Sequence, residues 1–187
     1  MARTFLFLLG SSRTGGNTEM LARLAAEQLP AGAEQRWLDL AAHPLPDFED
    51  VRHDDEICPA PTGHAAALLD ATLDATDLVI ASPLYWYSVS TSTKRYLDHW
   101  SGWMRVPGLD FKPRMAGRTL WGVTALADPE RSAADPLVGT LRATASYMRM
   151  RWGGVLLGNG SRPGDVHDDV RARADAKEFF ASAVLTP

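Results

Sequence analysis

Residues 4–18 read Thr4-Phe-Leu-Phe-Leu-Leu-Gly-Ser-Ser-Arg-Thr-Gly-Gly-Asn-Thr18, and this stretch decides the fold. Thr4 to Leu9 is a short apolar run without polar alternation, the pattern of a strand buried on both faces. Gly10 to Thr18 is a turn dense in glycine and hydroxyls. Met20, Leu21, Leu24 and Ala25 then recur at helical spacing. Strand, glycine-rich turn and helix in that order open a parallel α/β unit.

The same grammar continues outward. Further strand-length runs are Gln35 to Leu40, Asp77 to Ser82, Thr119 to Leu126 and Trp152 to Leu157. Helical patterns fall between and after them: His64 to Thr76; Leu97, Trp100 and Met104; Leu137, Leu141, Ala145 and Met148; Val166, Val170 and Ala174. Five strands in strict alternation with five helices predict a doubly wound α/β fold. Its five-stranded parallel sheet has the order 2-1-3-4-5, with helices on both faces. In that topology a ligand sits at the carboxyl ends of strands 1 and 3. The 187 residues are expected to form one domain, 1–187. The irregular stretch Ala41 to Gly63 holds four of the twelve prolines and six of the 23 acids, and reads as a surface excursion after strand 2.

The first loop is built for an anion. In a parallel unit its backbone N–H groups face outward at a helix N-terminus, where the helix dipole favours negative charge. Ser11, Ser12, Thr14, Asn17 and Thr18 add short polar donors, and Arg13 adds a fixed positive charge. A triphosphate loop needs Gly-Lys-Ser/Thr after its four-residue spacer. Gly10 and Gly15 fit that pattern, but Gly16 stands where the lysine belongs. The chain has 16 arginines and three lysines, and Lys94 is the first lysine, so none earlier can substitute. The dinucleotide pattern Gly-x-Gly-x-x-Gly fails at Ser12. What remains suits a terminal monophosphate.

Strand 3 ends in Ser82-Pro-Leu-Tyr-Trp-Tyr-Ser-Val-Ser90. This loop lies beside the first across the switch point. Pro83 holds the chain extended, and three successive aromatics cannot all turn inward. The segment is suited to line a flat heteroaromatic ligand. A phosphate site beside an aromatic shelf fits a molecule such as FMN.

Gly10-Ser-Ser-Arg-x-Gly-Gly-Asn-Thr18, Ser82-Pro-Leu-Tyr-Trp86 and the helical Lys94-Arg-x-Leu-Asp98 together resemble the NAD(P)H-dependent FMN reductases of the flavodoxin-like superfamily. The resemblance spans the chain in its order of elements. It implies FMN binding, with the phosphate at Ser11, Arg13, Gly16, Asn17 and Thr18. The isoalloxazine would lie along Pro83, Leu84, Tyr85 and Trp86. It also implies NAD(P)H as co-substrate and hydride transfer through flavin N5 to a quinone, nitro, azo or flavin acceptor. A homodimer or homotetramer is implied as well. Relatives often carry a glycine-rich loop after strand 4, whereas this chain reads Thr124-Ala-Leu-Ala-Asp-Pro-Glu130. No side chain is required as acid or base, so no catalytic residue is assigned. The alternatives are a flavodoxin-type electron carrier without NAD(P)H oxidase activity and a non-catalytic FMN or phosphate-ligand sensor. A carrier is ordinarily far more acidic than this chain.

Composition narrows the rest. A net charge of −4 gives no footprint for nucleic acid and no attraction to anionic membranes. Cys58 is the only cysteine, which excludes an internal disulfide and a cysteine-rich cluster. His43, His53 and Cys58 match no ligand spacing, so no metal is expected. No Gly-x-Ser-x-Gly elbow supports a hydrolase, and neither His64 nor His167 has an evident acid or nucleophile partner. Trp100 and Trp103 suit either the core or a subunit interface. His99 and Arg105 near them are open to the cleft or the surface. Without a signal-peptide core or an apolar span of membrane length, a cytoplasmic protein is the simplest expectation.

Overall fold

The computed structural model describes residues 3–51 and 58–181. Its strands are β1 (Thr4–Leu9), β2 (Glu34–Asp39), β3 (Asp77–Ala81), β4 (Thr119–Leu126) and β5 (Arg151–Asn159). They form one sheet in the order β2-β1-β3-β4-β5, and every neighbouring pair is parallel. The helices are α1 (Asn17–Ala26), α2 (Gly63–Asp74), α3 (Thr91–Trp103), α4 (Phe111–Met115), α5 (Asp135–Tyr147) and α6 (Val170–Glu178). No helix among the described residues is long and apolar enough to cross a membrane.

Side chains alternate across a strand, so each strand feeds two cores. Phe5, Phe7, Val79, Trp121 and Val123 pack with Leu21, Ala22 and Ala25 of α1 and Ala172 and Ala176 of α6. Leu6, Leu8, Leu78, Ile80 and Leu120 pack on the opposite face with α2, α3, α4 and α5. The unbroken apolar runs of β1 and β3 are the trace of this two-sided burial. Trp100 and Trp103 belong to the second core, each set edge-on against Tyr96 and Phe111. Burial pushes the Tyr96 phenol above its ordinary titration range, and its hydroxyl shares a 2.6 Å hydrogen bond with Thr72.

Two sequence expectations need correction. The alternation is not strict, because the short α4 interrupts the passage from α3 to β4; Phe111 and Met115 bury themselves to anchor it. Pro113, Gly108 and Gly117 hide this helix from a periodicity reading. The Val166, Val170, Ala174 stripe is wrong in phase. Val166 sits in a 3-10 turn with His167, and Val170 is 77% exposed. The Asp169 cap starts α6 at Val170, so Ala172, Ala176 and Phe180 face the core. Of the two residues left open between cleft and surface, His99 turns to the Pro46 carbonyl at 2.9 Å. Neither His99 nor Arg105 lines the cleft between the two loops.

At the amino end of the sheet, Asp77 is fully buried at the start of β3. Its carboxylate pairs with the Arg3 guanidinium. It also accepts 2.9 Å and 2.7 Å hydrogen bonds from the Trp121 indole N–H and the Thr76 hydroxyl. Each partner satisfies a lone pair that burial would otherwise leave unmatched.

Candidate functional site

At the carboxyl end of the sheet, the loops after β1, β3, β4 and β5 enclose a cleft of about 220 Å³. Eight of the nine residues singled out from sequence line it: Ser11, Arg13, Gly16, Asn17, Thr18, Pro83, Leu84 and Tyr85. Trp86 does not. Its side chain is 94% exposed at the tip of the neighbouring turn.

The first loop is shaped by its glycines and by its own hydroxyls. Gly10 brings the end of β1 so close to α3 that an added Cβ would lie 2.0 Å from Thr93 Oγ1. The Ser11 hydroxyl accepts the Arg13 N–H at 3.0 Å. Gly15 takes a left-handed φ of 66° and donates its N–H to Glu19 at 2.7 Å. Arg23 neutralises that carboxylate from one turn further along α1. Gly16 precedes α1 without a side-chain cap, so the N–H groups of the first turn lack the usual side-chain acceptor. Thr18 Oγ1 accepts the Ala125 N–H at 3.2 Å and fastens α1 to the end of β4.

Asn17 has a second task. Its side chain donates to the Arg162 carbonyl at 2.8 Å and accepts the Gly164 N–H at 2.9 Å. It thereby joins α1 to the loop after β5. That loop brings Gly160, Ser161 and Pro163 into the cleft, while the end of β4 brings Ala125 and the loop after it Ala127. Sequence reasoning missed these five. For three of them the signal was present in Asn159-Gly-Ser-Arg-Pro-Gly164, a turn-rich run at the carboxyl end of a strand. The glycine-free loop after β4 presents small alanines in place of glycine. The Asn159 amide holds this loop at the carbonyls of Leu126 and Asp128, at 3.2 and 2.7 Å.

Asp169 anchors the same region. It accepts the N–H groups of Asn159 and Ala172 at 2.8 and 2.9 Å, with Arg131 at 3.4 Å. Burial alone would raise its pKa, but these hydrogen bonds and the guanidinium outweigh it and hold the carboxyl below its ordinary value. A depressed carboxyl stabilises the fold above the unfolded-state pKa, and that contribution is lost as pH falls through the folded-state value. Asp169→Asn keeps a capping oxygen but removes the charge facing Arg131 and the two N–H groups, and is expected to lower stability by about 1 kcal/mol at neutral pH. It should also flatten the loss of stability below about pH 4, the ordinary carboxyl range. Denaturant melts across pH test both.

The turn after β3 is strained. Tyr85 and Ser88 exchange two 3.0 Å backbone hydrogen bonds, leaving Trp86 and Tyr87 as the central pair with φ of 49° and 62°. Both are left-handed, a conformation that hairpin turns usually reserve for Asn and Gly. The Ser82 hydroxyl clamps the loop's ends, accepting the Ser90 N–H at 2.9 Å and donating to the Pro83 carbonyl at 3.0 Å. The strain delivers the aromatics to solvent at the rim of the cleft. Tyr87→Gly is expected to stabilise the fold by about 1 kcal/mol, because glycine adopts this φ without penalty. A thermal melt reads that gain.

Among the described residues no three metal-ligating side chains gather. His53 lies outside the described residues, while His43 and His64 meet ring to ring at 5.5 Å.

Residues 4–151 match the NADPH-dependent FMN reductase family. YwqN of Bacillus subtilis (strain 168), whose name describes an NAD(P)H-dependent FMN-containing oxidoreductase, is 29% identical over 172 residues. The match covers 91% of this chain and 93% of YwqN. A Bacillus subtilis structure described as a Trp repressor binding protein superposes with a TM-score of 0.74 at 26% identity, covering 94% and 96% of the two chains. The FMN-dependent NADH-azoreductase of Bacillus anthracis, solved in complex with FMN, shares the fold at a TM-score of 0.63 and 13% identity, over 98% of this chain and 100% of that one. These relationships favour an enzyme over the electron-carrier alternative. With its flavodoxin-like 2-1-3-4-5 sheet and this cleft, the chain belongs to the NADPH-dependent FMN reductase family, FMN-dependent oxidoreductases that use NAD(P)H.

Proposed function

We propose that the cleft is the FMN site. Ser11, Arg13, Gly16, Asn17 and Thr18 would hold the phosphate, and Pro83, Leu84 and Tyr85 would flank the isoalloxazine, with Trp86 outside the cleft at the tip of the turn. Residues 1–187 then form one FMN-binding domain. One observation carries this reading: an uncapped helix N-terminus and an aromatic-bearing turn, distant in sequence, border a single cleft. The donor set fits the cofactor's phosphate. Arg13 supplies positive charge, the first turn of α1 supplies N–H groups, and small side chains let the backbone approach. When bound, FMN supplies hydride acceptance from NAD(P)H and delivery to a second substrate.

The chain's own part is to bind, orient and shape access. Asn17 and Asn159 hold the loops after β5 and β4 against the cleft. The Ser82 clamp holds the aromatic turn at its rim. No side chain is assigned as acid or base. The acceptor is a quinone, nitro, azo or free-flavin compound. Solved structures of the same fold described as an azoreductase and as a quinone reductase support the azo and quinone classes. The proposal extends to a homodimer or homotetramer, supported by the exposed Trp86 and Tyr87 at the cleft rim, and to a cytoplasmic location.

The test is a flavin absorbance spectrum of the purified protein, then anaerobic reduction by NADH and NADPH and turnover with each acceptor class. A protein that is purified colourless and stays apo after incubation with FMN and removal of the excess overturns the reading. Arg13→Ala is expected to weaken FMN binding about tenfold, a loss of about 1.4 kcal/mol. Light scattering reads the oligomer.

A further inference from the structure

We propose that Lys94, beside Arg95 at the start of α3, receives the 2′-phosphate of NADPH. This rests on the reading above that a nicotinamide nucleotide reduces the bound flavin.

A second cavity, of about 390 Å³, shares the strained turn with the cleft: Tyr85 lines the cleft and Ser88 lines the cavity. Its charged lining consists of Lys94, Arg95, Asp47 and Asp98, with the half-buried Phe48 as an apolar wall. The volume lies in the range that holds a small ligand. A nicotinamide placed over the flavin beside this turn leaves its adenosine to find a site nearby.

The two cations differ in freedom. Arg95 is fixed between the Leu45 carbonyl at 3.3 Å and Asp47 at 2.6 Å. Lys94 is joined to Asp98 at 2.6 Å, the lysine exposed and the carboxylate partly so. Exposed i,i+4 pairs of this kind contribute little, so a phosphate dianion competes well for the ammonium. Phe48 offers an apolar surface for the adenine.

The competing cavity is less suited. It measures about 940 Å³ and is lined by Glu130, Asp165, Asp168 and Asp169 against Arg131 and Arg171. That excess of acid repels a phosphate, and Arg131 is already held by Asp169 and Asp175.

The test titrates 2′-AMP and 5′-AMP into the purified protein by calorimetry, with added FMN. The wild type is expected to bind 2′-AMP at least tenfold more tightly than 5′-AMP. Lys94→Gln should abolish that preference and Lys94→Arg should restore it. The ratio of kcat/KM for NADPH to that for NADH should fall about tenfold in Lys94→Gln. A wild type without the preference, or a preference that survives Lys94→Gln, overturns the proposal. The nucleotide titration does not require turnover. A failure of the FMN reading shows separately, in the absorbance spectrum.

Discussion

Gly10→Ala is expected to destabilise the protein by about 3 kcal/mol and to weaken FMN binding at least tenfold. The added Cβ would stand 2.0 Å from Thr93 Oγ1 and 2.9 Å from Ser90 Oγ. Neither neighbour yields easily. Both are buried, and Ser90 Oγ accepts the Thr93 N–H that caps α3. The Gly10 N–H also donates to the Ala81 carbonyl, and its own carbonyl accepts the Ser92 hydroxyl at 3.0 Å. The start of α3 must therefore move away from β1, carrying the loop after β3 with it. Stability and cofactor binding fall together because one contact sets the spacing of both loops. Thermal melts and flavin titration read the two effects. Thr93→Ala in the Gly10→Ala background removes the atom in closest conflict and is expected to recover part of both losses. If the double variant is no better than the single, steric conflict at this contact is not the cause.

Asp77→Ala is expected to destabilise by about 3 kcal/mol while leaving FMN affinity within twofold of wild type, since Asp77 lies at the opposite end of the sheet. The substitution strands three donors at once. Arg3 is partly exposed and regains water, which moderates the loss, but the Trp121 indole N–H is buried and does not. For a chain of this length the melting temperature should drop by about 10 °C. Unchanged thermal stability in Asp77→Ala would show that the buried carboxylate and its partners contribute nothing net.

The two variants mark different degrees of legibility. The strand, glycine-rich turn and helix at the start of the chain were readable because they are local. Strand, glycine, hydroxyls and helix follow one another within Thr4 to Ala26, and short-range chemistry determines where N–H groups point. Strand length and two-sided burial pointed to a parallel sheet, and 2-1-3-4-5 is the common order of a five-stranded sheet of that kind. The aromatic turn was readable as a ligand-side segment, but not in its geometry. Sequence gives no warning that Trp86 and Tyr87 both take left-handed φ, because their preferences oppose it. Nor does Asp77 announce itself. An acid at the start of an apolar strand reads as a boundary until Arg3, Trp121 and Thr76 are brought around it.

The same distinction separates the parts of the site. The Lys-free loop from Gly10 to Thr18 departs from the Gly-Lys-Ser/Thr pattern of a triphosphate loop, and spacing along the chain is enough to show that. The loops after β4 and β5 enter the cleft through long-range ties: Thr18 to Ala125, Asn17 to the Arg162–Gly164 turn, and Asn159 to Asp128. The same holds for the phase of α6, where the Asp169 cap rather than the spacing of its valines selects the buried face. Local conformation follows from neighbouring residues. Which distant loops close on the cleft depends on hydrogen-bond partners that only folding brings within reach.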